Sequence, residues 1–176
     1  MNEKDYLKSF IMKWNFTGIA FICLLGTLMH FVFEWSNENN FIGAIVPINE
    51  SVAEHLKMVL WPTLIYYVIG YFVIKKKFGV FFNKWFTACL ISVFVNIVLI
   101  LSIHYIIVYG IGIEFFVTDI VAYLAGTTLG QLTATNYYNS NRYNKISGAA
   151  LFILGIFIIA SIVFTYYPLD IPLFMN

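Results

Sequence analysis

Charge is what this sequence has least of. Only 11% of its 176 residues are Asp, Glu, Lys or Arg, against about a quarter in an ordinary soluble domain. A soluble chain of this size still exposes roughly 30% of its unfolded surface to water. Here 61% of residues are hydrophobic and the mean hydropathy is +0.83, so the solvent must include hydrocarbon. Cysteine is scarce too: Cys23 and Cys89 lie in apolar runs without Cys-x-x-Cys spacing, which excludes a disulfide scaffold and a thiolate metal site. No phosphate-cradling glycine loop, Gly-x-Ser-x-Gly elbow, His-Glu-x-x-His helix or nucleic-acid motif is present. An internal repeat, common in secondary transporters, is missing as well.

What the chain does have is long apolar runs. Residues 14–35 supply enough length to cross a hydrocarbon core of roughly 30 Å at 1.5 Å per residue. Further spans are expected over 51–75, 85–109, 115–138 and 146–167. The second begins at Ser51, because its apolar run from Met58 is short, and Pro62 predicts a kink within it. Residues 1–13, with Lys4, Lys8 and Lys13, read as a short interfacial helix leading into a retained signal anchor. The 36–50 segment reads as a loop able to dip into the interface, and Pro168 and Pro172 end the chain in a non-helical tail. The expected fold class is all-α: a polytopic membrane bundle of about five helices forming one integral membrane domain over residues 1–176.

Positive charges orient it. Nine of the ten Lys and Arg residues fall in the N-terminus, the 75–84 turn and the 139–145 turn, and Lys and Arg in short loops are retained on the cytoplasmic side. The N-terminus is therefore expected inside and the C-terminus outside. Seven acids segregate to the outer side: Glu34, Glu38, Glu50, Glu54, Glu114, Asp119 and Asp170.

In this topology all three histidines fall in the outer half. His30 and His104 each lie five residues from the outer end of a span, about 6 to 8 Å deep, with Asp119 at a similar level. His55 and Glu54 head the second span. Charges in the membrane interior cost on the order of 2.5 to 3.5 kcal/mol each and mark functional sites. Imidazoles and carboxylates on facing helices are the means by which a bundle holds a metal. The expected ligands are His30, His55 and His104 around a divalent ion such as zinc, with Glu54 or Glu50 as base. Glu34, Asn49, Ser51, Lys57 and Asp119 are the surrounding polar groups. Plainer roles compete: Ser51-x-x-Glu54 is a capping box, Lys57 can snorkel to the headgroups or pair with Glu54, and a lone His often just joins two helices. Ala122, Gly126, Gly130 and Ala134 form a small-residue ladder for close helix packing, and Gly18, Gly26, Gly148 and Gly155 suggest similar contacts.

The run Asn49-Glu50-Ser51-x-x-Glu54-His55-x-Lys57, followed by Trp61-Pro62 and preceded by His30 and Glu34-Trp35, resembles the motif of an uncharacterised family of small bacterial multi-pass membrane proteins. The resemblance is close over roughly residues 25–65, with Ala53 where an aromatic is expected. It implies a fold and no reaction. Three functions fit the residues: a metal-dependent hydrolase acting on a lipid or lipid-linked substrate, a small transporter or solute- and proton-binding subunit with a path through Asn96, Thr127, Thr128 and Gln131, and a noncatalytic partner or immunity-type protein. Membrane lipids are the expected partners, and nucleic acid is not one.

Overall fold

The computed structural model describes residues 2–79, 81–112, 116–140 and 147–174. Glu114, Arg142 and Lys145, which entered the charge argument, lie outside them, as do Phe115 and Ile146, the expected first residues of two spans. The described residues contain helices and turns and no strand.

The first helix, α1 (Glu3–Trp35), is 33 residues long, about 50 Å at 1.5 Å per residue. A separate interfacial helix was expected for residues 1–13. No Gly or Pro interrupts the chain before Gly18, so nothing breaks the backbone ladder and the basic segment is instead the first three turns of α1. Asn2 caps it by accepting the Asp5 N–H at 2.8 Å, and Glu3 and Asp5 sit where the helix dipole favours negative charge. At its far end Asn37 and Glu38 take left-handed conformations, φ 54° and 56°, which turn the chain back toward the bundle. Asn39 then caps the one-turn helix α2 (Asn40–Gly43).

The second span is α3 (Val52–His55) and α4 (Lys57–Phe78), separated at Leu56. Leu56 keeps right-handed helical angles, φ −62° and ψ −20°, so the break is a local tightening. Pro62 has no N–H to offer the carbonyl four residues earlier, that of Met58. The Tyr123 hydroxyl bonds it instead, at 3.1 Å, sharing its proton with the Ile22 carbonyl at 2.8 Å. A defect in α4 is thereby repaired from another helix, as membrane proline sites require.

After Gly79, left-handed at φ 65°, come α5 (Phe82–Tyr105), a π-helical turn (Ile106–Ile111), α6 (Phe116–Asn139), α7 (Ser147–Tyr166) and a 3₁₀ turn (Pro172–Phe174). The small-residue ladder on α6 does meet a neighbouring span. A Cβ added to Gly126 would collide with Asn96 Oδ1, and one added to Gly130 with the Ser92 carbonyl, so α6 approaches a side chain of α5 at the first and its backbone at the second. Gly155 has no neighbour where its Cβ would be, and the contact expected there is not made.

Among the described residues, four helical stretches are long and apolar enough to cross a membrane: Glu3–Trp35, Val52–Phe78, Phe82–Ile111 and Ala149–Tyr166. With 24 residues α6 is long enough, but a polar stripe lowers its hydropathy. It nevertheless runs the length of α5, from the His104–Asp119 pair at one end to the Lys84 ammonium on the Ser140 carbonyl at the other, 2.7 Å. α5 shields its polar face along that length. The chain is thus an all-α polytopic membrane protein.

Its two ends differ. Lys77 lies over the rings of Tyr6, Phe10 and Phe78, Asn139 bonds the Lys8 carbonyl and Lys84 the Ser140 carbonyl, so the lysine-bearing ends of α1, α4 and α5 gather with the C-terminal end of α6. The opposite end gathers His30, Glu50, Glu54 and His55.

Candidate metal centre

Residues 43–57 build this end. Asn49 Oδ1 accepts the Ser51 N–H at 3.0 Å, and Ser51 Oγ accepts the Glu54 N–H at 3.4 Å. That is half of the expected capping box. The reciprocal bond is not made, because the Glu54 carboxylate turns away and accepts from three other donors. Its Oε2 takes the Ile48 N–H at 3.0 Å and the Lys57 ammonium at 2.8 Å, and its Oε1 lies 3.0 Å from the Thr165 hydroxyl, which shares its proton with the Ser161 carbonyl at 2.8 Å. Lys57 does not snorkel. Its side chain is 1% exposed, and its remaining protons go to the carbonyls of Gly43 and Val46 at 2.7 and 3.2 Å. Two buried charges, each with all its near partners satisfied, clamp the 43–48 loop and α7 to the head of α4. A charge pair at membrane depth requires such full pairing.

Glu50 is treated otherwise. Its side chain is 73% exposed and stands between two imidazoles, with Oε1 3.5 Å from His30 Nε2 and Oε2 3.5 Å from His55 Nε2. The two rings lie 5.3 Å apart, 33° from parallel. One ligand atom from each of His30, Glu50 and His55 falls within 4.8 Å of the others. α1 brings His30, α3 brings His55, and the turn that Asn49 and Ser51 hold brings Glu50.

The spacing has chemical content. A charge-assisted bond between imidazolium and carboxylate closes to about 2.7 to 2.9 Å, and 3.5 Å is too long for one. Two ligands of a tetrahedral zinc ion, with bonds of about 2.1 Å, stand about 3.4 Å apart. His55 Nδ1 lies 2.9 Å from the Ser51 carbonyl, which can only accept, so Nδ1 carries the proton. In the neutral ring Nε2 then directs a lone pair at a carboxylate oxygen, and a cation between them removes that repulsion. Anchoring of the second ring nitrogen on a carbonyl is typical of metal-bound histidine. His30 lacks this anchor: its Nδ1 is buried without a partner.

The third expected histidine is elsewhere. His104, at the end of α5 beside the π-helical turn, faces Asp119 with Nδ1 to Oδ1 3.4 Å and lies against Tyr105 and Tyr109. It is not part of the converging group, where Glu50 takes the third place. Glu34, one turn beyond His30, is exposed.

The expected polar path is only partly assembled. Asn96 bonds Thr127 at 3.0 Å and Gln131 bonds Ser92 at 2.9 Å, both in the helix interior, while Thr128 turns outward onto its own helix at the Leu124 carbonyl. On α6 the polar residues recur every fourth position, as Asp119, Tyr123, Thr127, Gln131, Thr135 and Asn139, a stripe on one face. Tyr123 and Thr165 were not expected to matter. The stripe offered a signal for Tyr123, whereas nothing in the sequence marked Thr165.

Fold and site together define a polytopic α-helical membrane protein with a two-histidine, one-carboxylate cluster at one end of its bundle. More particularly, the chain belongs to a family of unknown function, DUF6512, whose model matches residues 1–176. No curated protein and no solved structure is significantly similar to it.

Proposed function

We propose that His30, Glu50 and His55 hold a divalent cation of the zinc class, and that the protein is a metal-dependent hydrolase of a lipid or lipid-linked substrate at the outer leaflet of a bacterial cytoplasmic membrane. The observation that carries the reading is the pair of 3.5 Å separations on either side of Glu50, with His55 fixed in the tautomer that presents Nε2. Two histidines and one glutamate form the donor set of several zinc hydrolases and leave the fourth position for water. A cation there supplies Lewis acidity and lowers the pKa of its water to about 7.

The chain's own residues divide the remaining work. Glu54, engaged by three donors, positions α3 and is not available as a base; Glu50, the other expected base, is in this reading a ligand, and its exposed side chain leaves the site open to solvent and substrate. The depth of His30 and His55 at one end of the helices sets the reacting bond at the headgroup level of a lipid. The test is reconstitution in vesicles with a panel of phospholipids and lipid-linked phosphates. Release of a water-soluble product that chelation abolishes, zinc restores and His55→Ala lacks is the expected result; a panel untouched by zinc-loaded protein contradicts the reading.

A small transporter or proton-binding subunit is the second reading, and the stripe on α6 favours it. Its buried rungs are tied in pairs to α1 and α5, which suits helix joining better than passage.

A further inference from the structure

Below the Glu54–Thr165 bond the helices part. α4 and α7 scarcely touch, and a cavity of about 210 Å³ lies between them. On α7 it is lined by Phe157, Ala160, Ser161 and Phe164, spaced as one helical face, and opposite them by Leu56 and Leu60. Leu173 and Phe174 of the terminal 3₁₀ turn close it from the side. From Phe164 to Phe157 it descends seven residues of α7, about 10 Å toward the bilayer centre.

Three observations indicate the occupant. Small residues in membrane helices ordinarily let two helices close together, yet Ala160 and Ser161 face a gap that stays open. Water has little to hold there: the lining is almost wholly apolar, the Ser161 hydroxyl proton is spent on the Ile158 carbonyl at 2.8 Å and Glu54 already takes three contacts, and a buried water needs two to four polar partners. The volume exceeds the roughly 150 Å³ that accommodates benzene. Between helices that cross hydrocarbon, the apolar molecule at hand is a lipid chain.

We propose that this groove binds one acyl chain of a membrane lipid. Glu54 roofs the groove and His55, its neighbour on α3, belongs to the triad, so a chain lodged there carries its polar end to the triad. That the lipid is also the substrate rests on the hydrolase reading; that the groove binds an acyl chain does not.

The test uses the full chain in vesicles containing phosphatidylcholine with a diazirine midway along one acyl chain. After illumination and digestion, adducts on Phe157–Phe164 and Leu56–Leu60 are expected in several-fold excess over adducts on Phe152, a 71% exposed residue of the same helix. Ala160→Trp fills the groove and should abolish that excess while labelling of Phe152 and zinc content stay unchanged; Ala160→Leu serves the same end if the larger variant misfolds. Labelling no greater in the groove than at Phe152, or an excess that survives a folded filled variant, overturns the proposal. Groove labelling in a protein that never takes up zinc would defeat the hydrolase reading and leave the acyl site standing.

Discussion

Glu50 and Glu54 stand four residues apart in one short segment, and their surroundings are opposite. Glu54 is buried, and Lys57, the Ile48 amide and Thr165 occupy its oxygens. Glu50 is exposed and faces two ring nitrogens, neither near enough for a strong hydrogen bond. The first arrangement is complete and rigid; the second leaves donor atoms poised around a point. Proximity in sequence therefore says little about role, and the number of partners already satisfied says a good deal.

Either glutamate can be disturbed without the other. Lys57→Met strands the Glu54 charge in a buried site, and removal of one partner of such a pair costs about 3 to 5 kcal/mol. Denaturant unfolding in detergent micelles should register this, and adding Glu54→Gln should restore most of the loss; additive damage in the double variant would contradict the pairing. Glu50→Gln should change stability by no more than about 0.5 kcal/mol, as at other exposed sites. Its zinc affinity should nonetheless fall by more than the roughly 10- to 100-fold typical of groups that only support ligands, and calorimetric titration of variant and wild type reads both zinc affinities.

Smaller effects sharpen the boundary of the site. Tyr123→Phe removes the bond to the Met58 carbonyl and should cost up to about 1.7 kcal/mol, the upper range for polar contacts in a bilayer. With Pro62→Ala beside it the penalty should shrink, since that substitution restores a backbone donor to the Met58 carbonyl; an unchanged penalty in a double-mutant cycle would separate the two residues. His104→Ala should leave zinc binding unaltered and cost about 0.6 kcal/mol. A large fall in affinity would bring His104 back into the ligand set.

Much of this was legible in the residues. The all-α polytopic class, the common basic end and the His-bearing end follow from apolar run lengths and from where the lysines fall, because bilayer thickness acts on composition alone. His30 and His55 were visible for the same reason, as ionisable groups at one depth. Depth does not fix azimuth, however, and a shared level could not tell His104, directed at Asp119, from the two rings that converge. Nor could spacing tell which of two glutamates four apart would turn inward. That choice depends on Thr165 in α7 and on the carbonyls of Gly43 and Val46, partners up to 111 residues away. α1 offers the reverse lesson: its basic start looked separable by composition, but nothing in its backbone breaks the helix.

Whether the under-satisfied carboxylate marks a metal centre is decided by elemental analysis of protein purified without chelators, loaded with zinc and desalted. About one equivalent of zinc is predicted in the wild type and in His104→Ala, and none in His55→Ala at unchanged helical content. A wild type that leaves the column free of metal, or a His55→Ala protein that keeps its zinc, would contradict it.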